Sequence, residues 1–217
     1  MTKKNKLPTI ISFILDRSGS METIRKNVIS GFNEYINGLK KSKEKKNILF
    51  SLTTFDTIGI ERLYVVEPIL KVEPLSNRNY QPRAGTPLYD AAVNTIEDLA
   101  EKVEEGQPVL VVIMTDGEEN SSVEHNEGCF KDLVEQLKAR GNWTFVFMGA
   151  NQDAWANAAK FGMDLGNTMQ WASTSAGTAK AFRGLAQSSV NYVAMMASAD
   201  DKAQLNTNQF FNKGGAK

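Results

Sequence analysis

Apolar and polar positions follow two rhythms along this chain, and the rhythms alternate. Residues 9–15 (Thr-Ile-Ile-Ser-Phe-Ile-Leu) form a short apolar run that ends at Asp16 and predicts a first strand. From residue 22 to 39 the apolar positions Ile24, Val28, Phe32, Tyr35, Ile36 and Leu39 recur every three or four residues, which predicts a helix. Residues 47–55 and 58–66 are rich in β-formers and separated by a very short link, so they should pair as an antiparallel hairpin. Residues 67–85 hold three of the six prolines and read as an irregular loop.

The alternation continues through the second half. A helix is expected over 87–103, with Leu88, Ala91, Ala92, Thr95, Ile96 and Leu99 on one face. Residues 109–114 are continuously apolar, as in a central strand buried on both faces. A helix over 123–139 stopped by Gly141, a strand over 143–148, a short helix over 153–161, a strand around 163–169 and a last helix over 175–196 complete the reading. Strands alternating with helices predict an α/β fold, a doubly wound, mostly parallel central sheet with one antiparallel strand and helices on both faces. One domain over 8–198 accounts for the pattern, with a short extension at 1–7 and a polar tail at 199–217 expected to fray.

Composition narrows the function. The 25 basic and 25 acidic side chains balance, so there is none of the basic excess of a nucleic-acid binder. The dense run Lys40, Lys41, Lys43, Lys45 and Lys46 sits at a predicted helix end, where cations suit the helix dipole. Cys129 is the only cysteine, which fits a reducing compartment. The apolar run after the basic N-terminus is too short for a signal peptide, and no stretch approaches a membrane span of about 20 apolar residues. The chain reads as soluble and cytoplasmic.

The chemistry lies in three segments at strand ends or helix starts, the edge where open α/β sheets bind ligands. They are Asp16-Arg17-Ser18-Gly19-Ser20, Ala84-Gly85-Thr86-Pro87-Leu88 and Met114-Thr115-Asp116-Gly117-Glu118. Together they offer two carboxylates, Asp16 and Asp116, and three hydroxyls, Ser18, Ser20 and Thr86. An all-oxygen set without histidine or thiol favours a hard cation over zinc or copper. Magnesium, or manganese or calcium in its place, would have its charge matched by the two carboxylates. One or both aspartates would act through water, leaving a position for a Glu or Asp of a partner protein.

Asp16-x-Ser18-x-Ser20, then Thr86, then Asp116-Gly117 resemble the metal-ion-dependent adhesion site of von Willebrand factor A domains. The stretches 13–21, 85–91 and 115–120 look most like the intracellular prokaryotic and phage branch of that family. The resemblance covers roughly residues 8–198. It implies a Rossmann-like fold, a magnesium ion on these five residues, and binding of protein ligands rather than catalysis.

Other readings attach to the same residues. Ser18 or Ser20 can cap the helix expected from residue 22, and Thr86-Pro87 matches a cap followed by proline at the first helical position. Glu118, Glu119 and Asn120 read first as first-turn helix residues and second as contacts to the metal's outer shell or a partner; an outer-shell acceptor is likewise the minor reading of Asp56, Asp90 reads as structural and His125 as a surface helix residue. A magnesium-dependent phosphohydrolase of the haloacid dehalogenase kind would need a carboxylate two residues after Asp16, where Ser18 stands. A metal-stabilised structural subunit that associates with itself is the remaining alternative.

Overall fold

In the computed structural model, which describes residues 6–150, 154–198 and 207–211, the apolar run becomes the strand β4 (Val109–Thr115), buried along its whole length. It lies in a sheet with β1 (Thr9–Asp16), β2 (Ile48–Asp56), β3 (Gly59–Pro68), β5 (Trp143–Gly149) and β6 (Thr168–Gln170). The order is β3-β2-β1-β4-β5-β6. All pairings are parallel except the edge pair β2–β3, an antiparallel hairpin turning at Thr57-Ile58. This is the expected α/β architecture.

Side-chain alternation along β1 divides the core into two layers. Ile11, Phe13 and Leu15 point to one face, under α1 (Arg25–Lys41) and α5 (Ser175–Ser198). Ile10 and Ile14 point to the other, under α2 (Leu88–Ala100), α3 (Glu127–Ala139) and α4 (Ala154–Lys160). In the first layer the Phe13 ring packs edge-on to Phe32 at 5.5 Å and parallel to Phe182 at 6.3 Å. Burying each such ring is worth about 1.5–3 kcal/mol. Gly31 makes the α1–α5 contact possible: a Cβ there would lie 2.2 Å from the Phe182 ring.

Several boundaries differ from expectation. The helix expected from residue 22 opens with a 3-10 turn, Gly19–Ile24, and becomes α-helical at Arg25. The helix expected from 123 starts at Glu127, where the Asn126 side chain accepts from Cys129 N. His125 therefore precedes the helix, half-buried, with Nε2 3.1 Å from Asn94 Oδ1. α2 ends at Ala100 rather than 103, and the strand around 163–169 is reduced to Thr168–Gln170. Asp153, expected to begin α4, lies outside the described residues. Within the tail expected to fray, residues 207–211 pack on the body: Phe210 is buried against Tyr192, and its N–H donates to Asn167 Oδ1. The other tail residues lie outside the described ones. Among the described residues no helix is long and apolar enough to cross a membrane.

β1 and β4 are adjacent and parallel, with Leu15 opposite Met114. The chain leaves β1 toward β2 on one side of the sheet and leaves β4 toward β5 on the other. Loops that diverge in this way open a crevice at the carboxyl edge. The first and third motif segments both lie there.

Candidate metal centre

Asp16 ends β1 fully buried, and both of its carboxylate oxygens are held. Oδ1 accepts from Ser18 N at 2.6 Å, and Oδ2 accepts from Thr115 Oγ1 at 2.6 Å. Thr115 also receives Gly117 N at 3.1 Å, so one hydroxyl ties the ends of β1 and β4 together. Tyr80, buried in the long loop, donates its hydroxyl to the Asp16 carbonyl at 2.7 Å.

The hydroxyls lie above this floor. Ser18 Oγ is 3.1 Å from Ser20 Oγ, and Ser20 Oγ donates to Asp116 Oδ1 at 2.6 Å. A Cβ at Gly117 would sit 3.4 Å from both Ser20 Oγ and Thr86 Oγ1, which places the second loop's hydroxyl beside the first. The five sequence-predicted residues thus converge at one place. The capping readings do not hold: Ser18 stands at the head of its 3-10 turn without a side-chain capping bond, and Pro87, not Thr86, precedes α2.

Thr86 is positioned from the third segment. Its N–H donates to Asn120 Oδ1 at 2.9 Å, and Asn120 N returns a bond to Thr86 O at 3.2 Å. Glu119 accepts from Tyr89 N, and Ser122 Oγ from Tyr89 N and Asp90 N, so residues 119–122 satisfy two of the free N–H groups of α2's first turn. Asp90 answers by accepting from the N–H groups of Val123, Glu124 and His125. Residues 117–126 are therefore a loop fastened to α2 and not the first turn of a helix. Gly85 is fixed by the same crowding: a Cβ there would meet Ser121 Oγ at 2.4 Å and Asn120 Oδ1 at 3.1 Å.

Among the described residues no ion pair reaches the Asp16 or the Asp116 carboxylate. Burial pushes the Asp16 carboxyl up to about 6; the Thr115 and Ser18 hydrogen bonds oppose this, and the nearby Asp116 adds to it. Burial also raises Asp116, against the bond from Ser20. Arg17, next in the chain, points elsewhere, to Asp56 and Glu61. Asp56, read secondarily as an outer-shell acceptor, is occupied by Arg17, Arg83 and the β2–β3 turn. Two carboxylates raised by burial beside three converging hydroxyls make a site short of positive charge. Among the described residues no cluster of three or more His, Cys, Asp or Glu exists, so a soft-metal cage is absent there. The donors fit a hard divalent cation.

Thr115 and Tyr80 carry positioning roles that the sequence did not reveal, whereas Asn120 takes the minor, outer-shell side of its two readings by holding Thr86. Thr115 lies within the third segment, and that neighbourhood was its only signal. Tyr80 sits in a proline-rich stretch with no periodicity to mark it.

No protein-family model and no curated protein sequence matches the chain. Solved structures do. Proximal thread matrix protein 1 of the mussel byssus superposes with TM-score 0.62 at 14% identity, over 85% of this chain and 47% of that one. Another of its structures is described as having a zinc-occupied MIDAS motif. Manganese-loaded TRAP of Plasmodium vivax gives 0.54 at 21% identity, over 81% and 73%. The VWA domain of SpRpn10 gives 0.55 at 12%, over 82% of this chain and 95% of that domain. The chain has the von Willebrand factor A fold. It spans about half the length of the mussel protein.

Proposed function

We propose that this chain is a metal-dependent protein-binding module rather than an enzyme. In this reading Asp16, Ser18, Ser20, Thr86 and Asp116 hold one magnesium ion, and a Glu or Asp of a partner protein completes the ion's coordination. The observation that carries it is the convergence of the Ser18, Ser20 and Thr86 hydroxyls with Asp116 above a buried Asp16.

Each residue has a distinct part. Ser18, Ser20 and Thr86 supply neutral oxygens, which fill coordination positions without cancelling charge. Asp16, with both oxygens accepting hydrogen bonds from Ser18 and Thr115, would contribute its charge beneath the ion and hold the Ser18–Ser20 loop. Asp116 balances charge and orients Ser20. Magnesium prefers octahedral oxygen coordination and, once bound, supplies the electrophilic position that an acidic side chain can occupy. Manganese or calcium can stand in for it. The metals named for the mussel protein and TRAP are consistent with a divalent ion at sites on this fold.

The rim supports a protein ligand. Thr57 and Ser121 both abut Gly85, and the turns they belong to carry the exposed apolar residues Ile58 and Val123. An acidic residue flanked by apolar ones suits that edge. A cytoplasmic setting belongs to this reading and is supported by the single, exposed cysteine.

The test is a magnesium-dependent pull-down from the source cell, with Thr86→Ala as control. The partner should be retained in magnesium and released by EDTA, and the variant should not capture it. Capture that persists in EDTA would remove the metal from the interaction, and recovery of only this chain would point to self-association.

A further inference from the structure

The second residue of the Asp-x-Ser-x-Ser loop is an arginine, an unexpected neighbour for a cation site. Arg17 is buried, and its guanidinium is spent on two carboxylates. Nε donates to Asp56 Oδ2 at 2.8 Å and Nη1 to Glu61 Oε2 at 2.7 Å. Burial alone would lower its pKa; Glu61 and Asp56 outweigh that and raise it, so the charge stays fixed. Arg83 Nε reaches the same Asp56 oxygen at 3.1 Å. Two cations and two carboxylates cancel, so the cluster adds little net field at the metal site beside it.

The backbone shows what the cluster holds. Arg17 N donates to Phe55 O at 2.8 Å, Arg83 N to Arg17 O at 2.9 Å, and Gly19 N to Ala84 O at 3.0 Å. Ala84 has φ +60°, a left-handed conformation that a non-glycine residue keeps only when its surroundings impose it. Three segments therefore meet at Arg17: the loop after β1, the β2–β3 hairpin through Asp56 and Glu61, and the strained approach to Thr86.

We propose that Arg17 is a positioning residue of the metal centre, its buried fork on Asp56 and Glu61 holding the Ser18–Ser20 loop and the Ala84–Thr86 loop in ligating register. This rests on the metal-binding reading above. Buried ion pairs add little net stability, because desolvation offsets the attraction, but they fix geometry when every donor and acceptor is used. Asp56 is fully used: Oδ1 accepts from Ile58 N and Gly59 N, and Oδ2 from both arginines. Lysine at 17 would keep the charge but could not fork between two carboxylates.

The test titrates Mn2+ into the full chain and its Arg17→Lys, Arg17→Met and Glu61→Gln variants, with amide hydrogen exchange measured in EDTA. Outer-shell positioning residues typically change metal affinity by about 10–100-fold, so Arg17→Lys should weaken Mn2+ at least about tenfold. Glu61→Gln, at a half-exposed position, should weaken it less and leave the unfolding midpoint nearly unchanged. In EDTA, Arg17→Lys should lose exchange protection at Gly19 and Arg83 while β4 keeps it. Wild-type affinity in a folded Arg17→Lys protein, or tighter binding in Arg17→Met through relief of repulsion, overturns the proposal. If Arg17→Met does not fold, Arg17→Lys and Glu61→Gln decide. If the wild-type chain binds no Mn2+, the metal reading fails on its own. The exchange data then still decide whether Arg17 fixes the two loops, and unchanged protection at Gly19 and Arg83 overturns it.

Discussion

The Ser20 hydroxyl donates to Asp116 Oδ1 across 2.6 Å, although the two residues are 96 apart in the chain. The bond spans the crevice between the ends of β1 and β4. It gives the half-buried Asp116 carboxylate a donor. Thr115 does the same for Asp16 at 2.6 Å. A divalent ion held between these loops would compete with these bonds for the carboxylate oxygens.

Thr86→Val should keep the fold and lose the ion. The side chain is buried and valine nearly matches its shape, but the Oγ1 facing Gly117 disappears. Magnesium affinity should fall by more than about tenfold, while the unfolding midpoint in EDTA stays close to wild type. Calorimetric titration and thermal unfolding check the two halves.

The Asp16 carboxyl sets a pH dependence whose sign is opposite to that of a salt-bridged acid. Its pKa is raised from 3.8 to about 6, so the folded chain holds the proton more tightly than the unfolded one. Without metal, Asp16 costs stability as pH rises from about 4 to about 6, by up to about 3 kcal/mol at pH 7. Asp16→Asn should remove this slope and stabilise the EDTA-treated protein at pH 7. With magnesium present, affinity should drop below pH 6 as protons compete for the carboxylate. Urea unfolding at pH 4.5 and pH 7, for both proteins with and without magnesium, measures it.

Gly85→Ala should damage the site from a position that is no ligand. Its Cβ would fall 2.4 Å from Ser121 Oγ and 3.1 Å from both Asn120 Oδ1 and Thr57 Cγ2, so Ser121 must rotate and the Asn120 amide that holds Thr86 must give way. A loss of about 1–3 kcal/mol with much weaker magnesium binding is expected, from denaturant unfolding and calorimetry on the same sample.

Asp90→Ala should free the loop before α3. Three backbone N–H groups, from Val123, Glu124 and His125, lose their acceptor. A destabilisation of about 2–3 kcal/mol and new proteolytic cleavage near the exposed Val123 are expected from limited digestion followed by mass spectrometry.

The five candidate oxygen donors were legible because two segments carry them at strand ends and one at a helix start, and strands declare themselves by apolar runs. β1 and β4 are nearly where their apolar residues end. The loop at 117–126 was not legible. Glu118-Glu119-Asn120 has the composition of a helix's first turn, but its hydrogen bonds run to Thr86 and Tyr89, and those of residues 122–125 to Asp90, some thirty residues away. Asp56 was placed at the correct edge, but its partner was not legible. Its carboxylate faces Arg17, and a contact between residues 39 apart leaves no periodic trace. Local pattern reveals elements and their ends; pairings between loops depend on the assembled sheet.

Asp16, Ser18, Ser20, Thr86 and Asp116 are proposed to hold one divalent ion. Electron paramagnetic resonance titration of Mn2+ into wild-type chain and Thr86→Val tests it most directly. The expected result is one tightly bound ion per wild-type chain, displaced by excess magnesium, and none in the variant. A wild-type chain that leaves all the Mn2+ free, or a variant that binds it equally well, would contradict the claim.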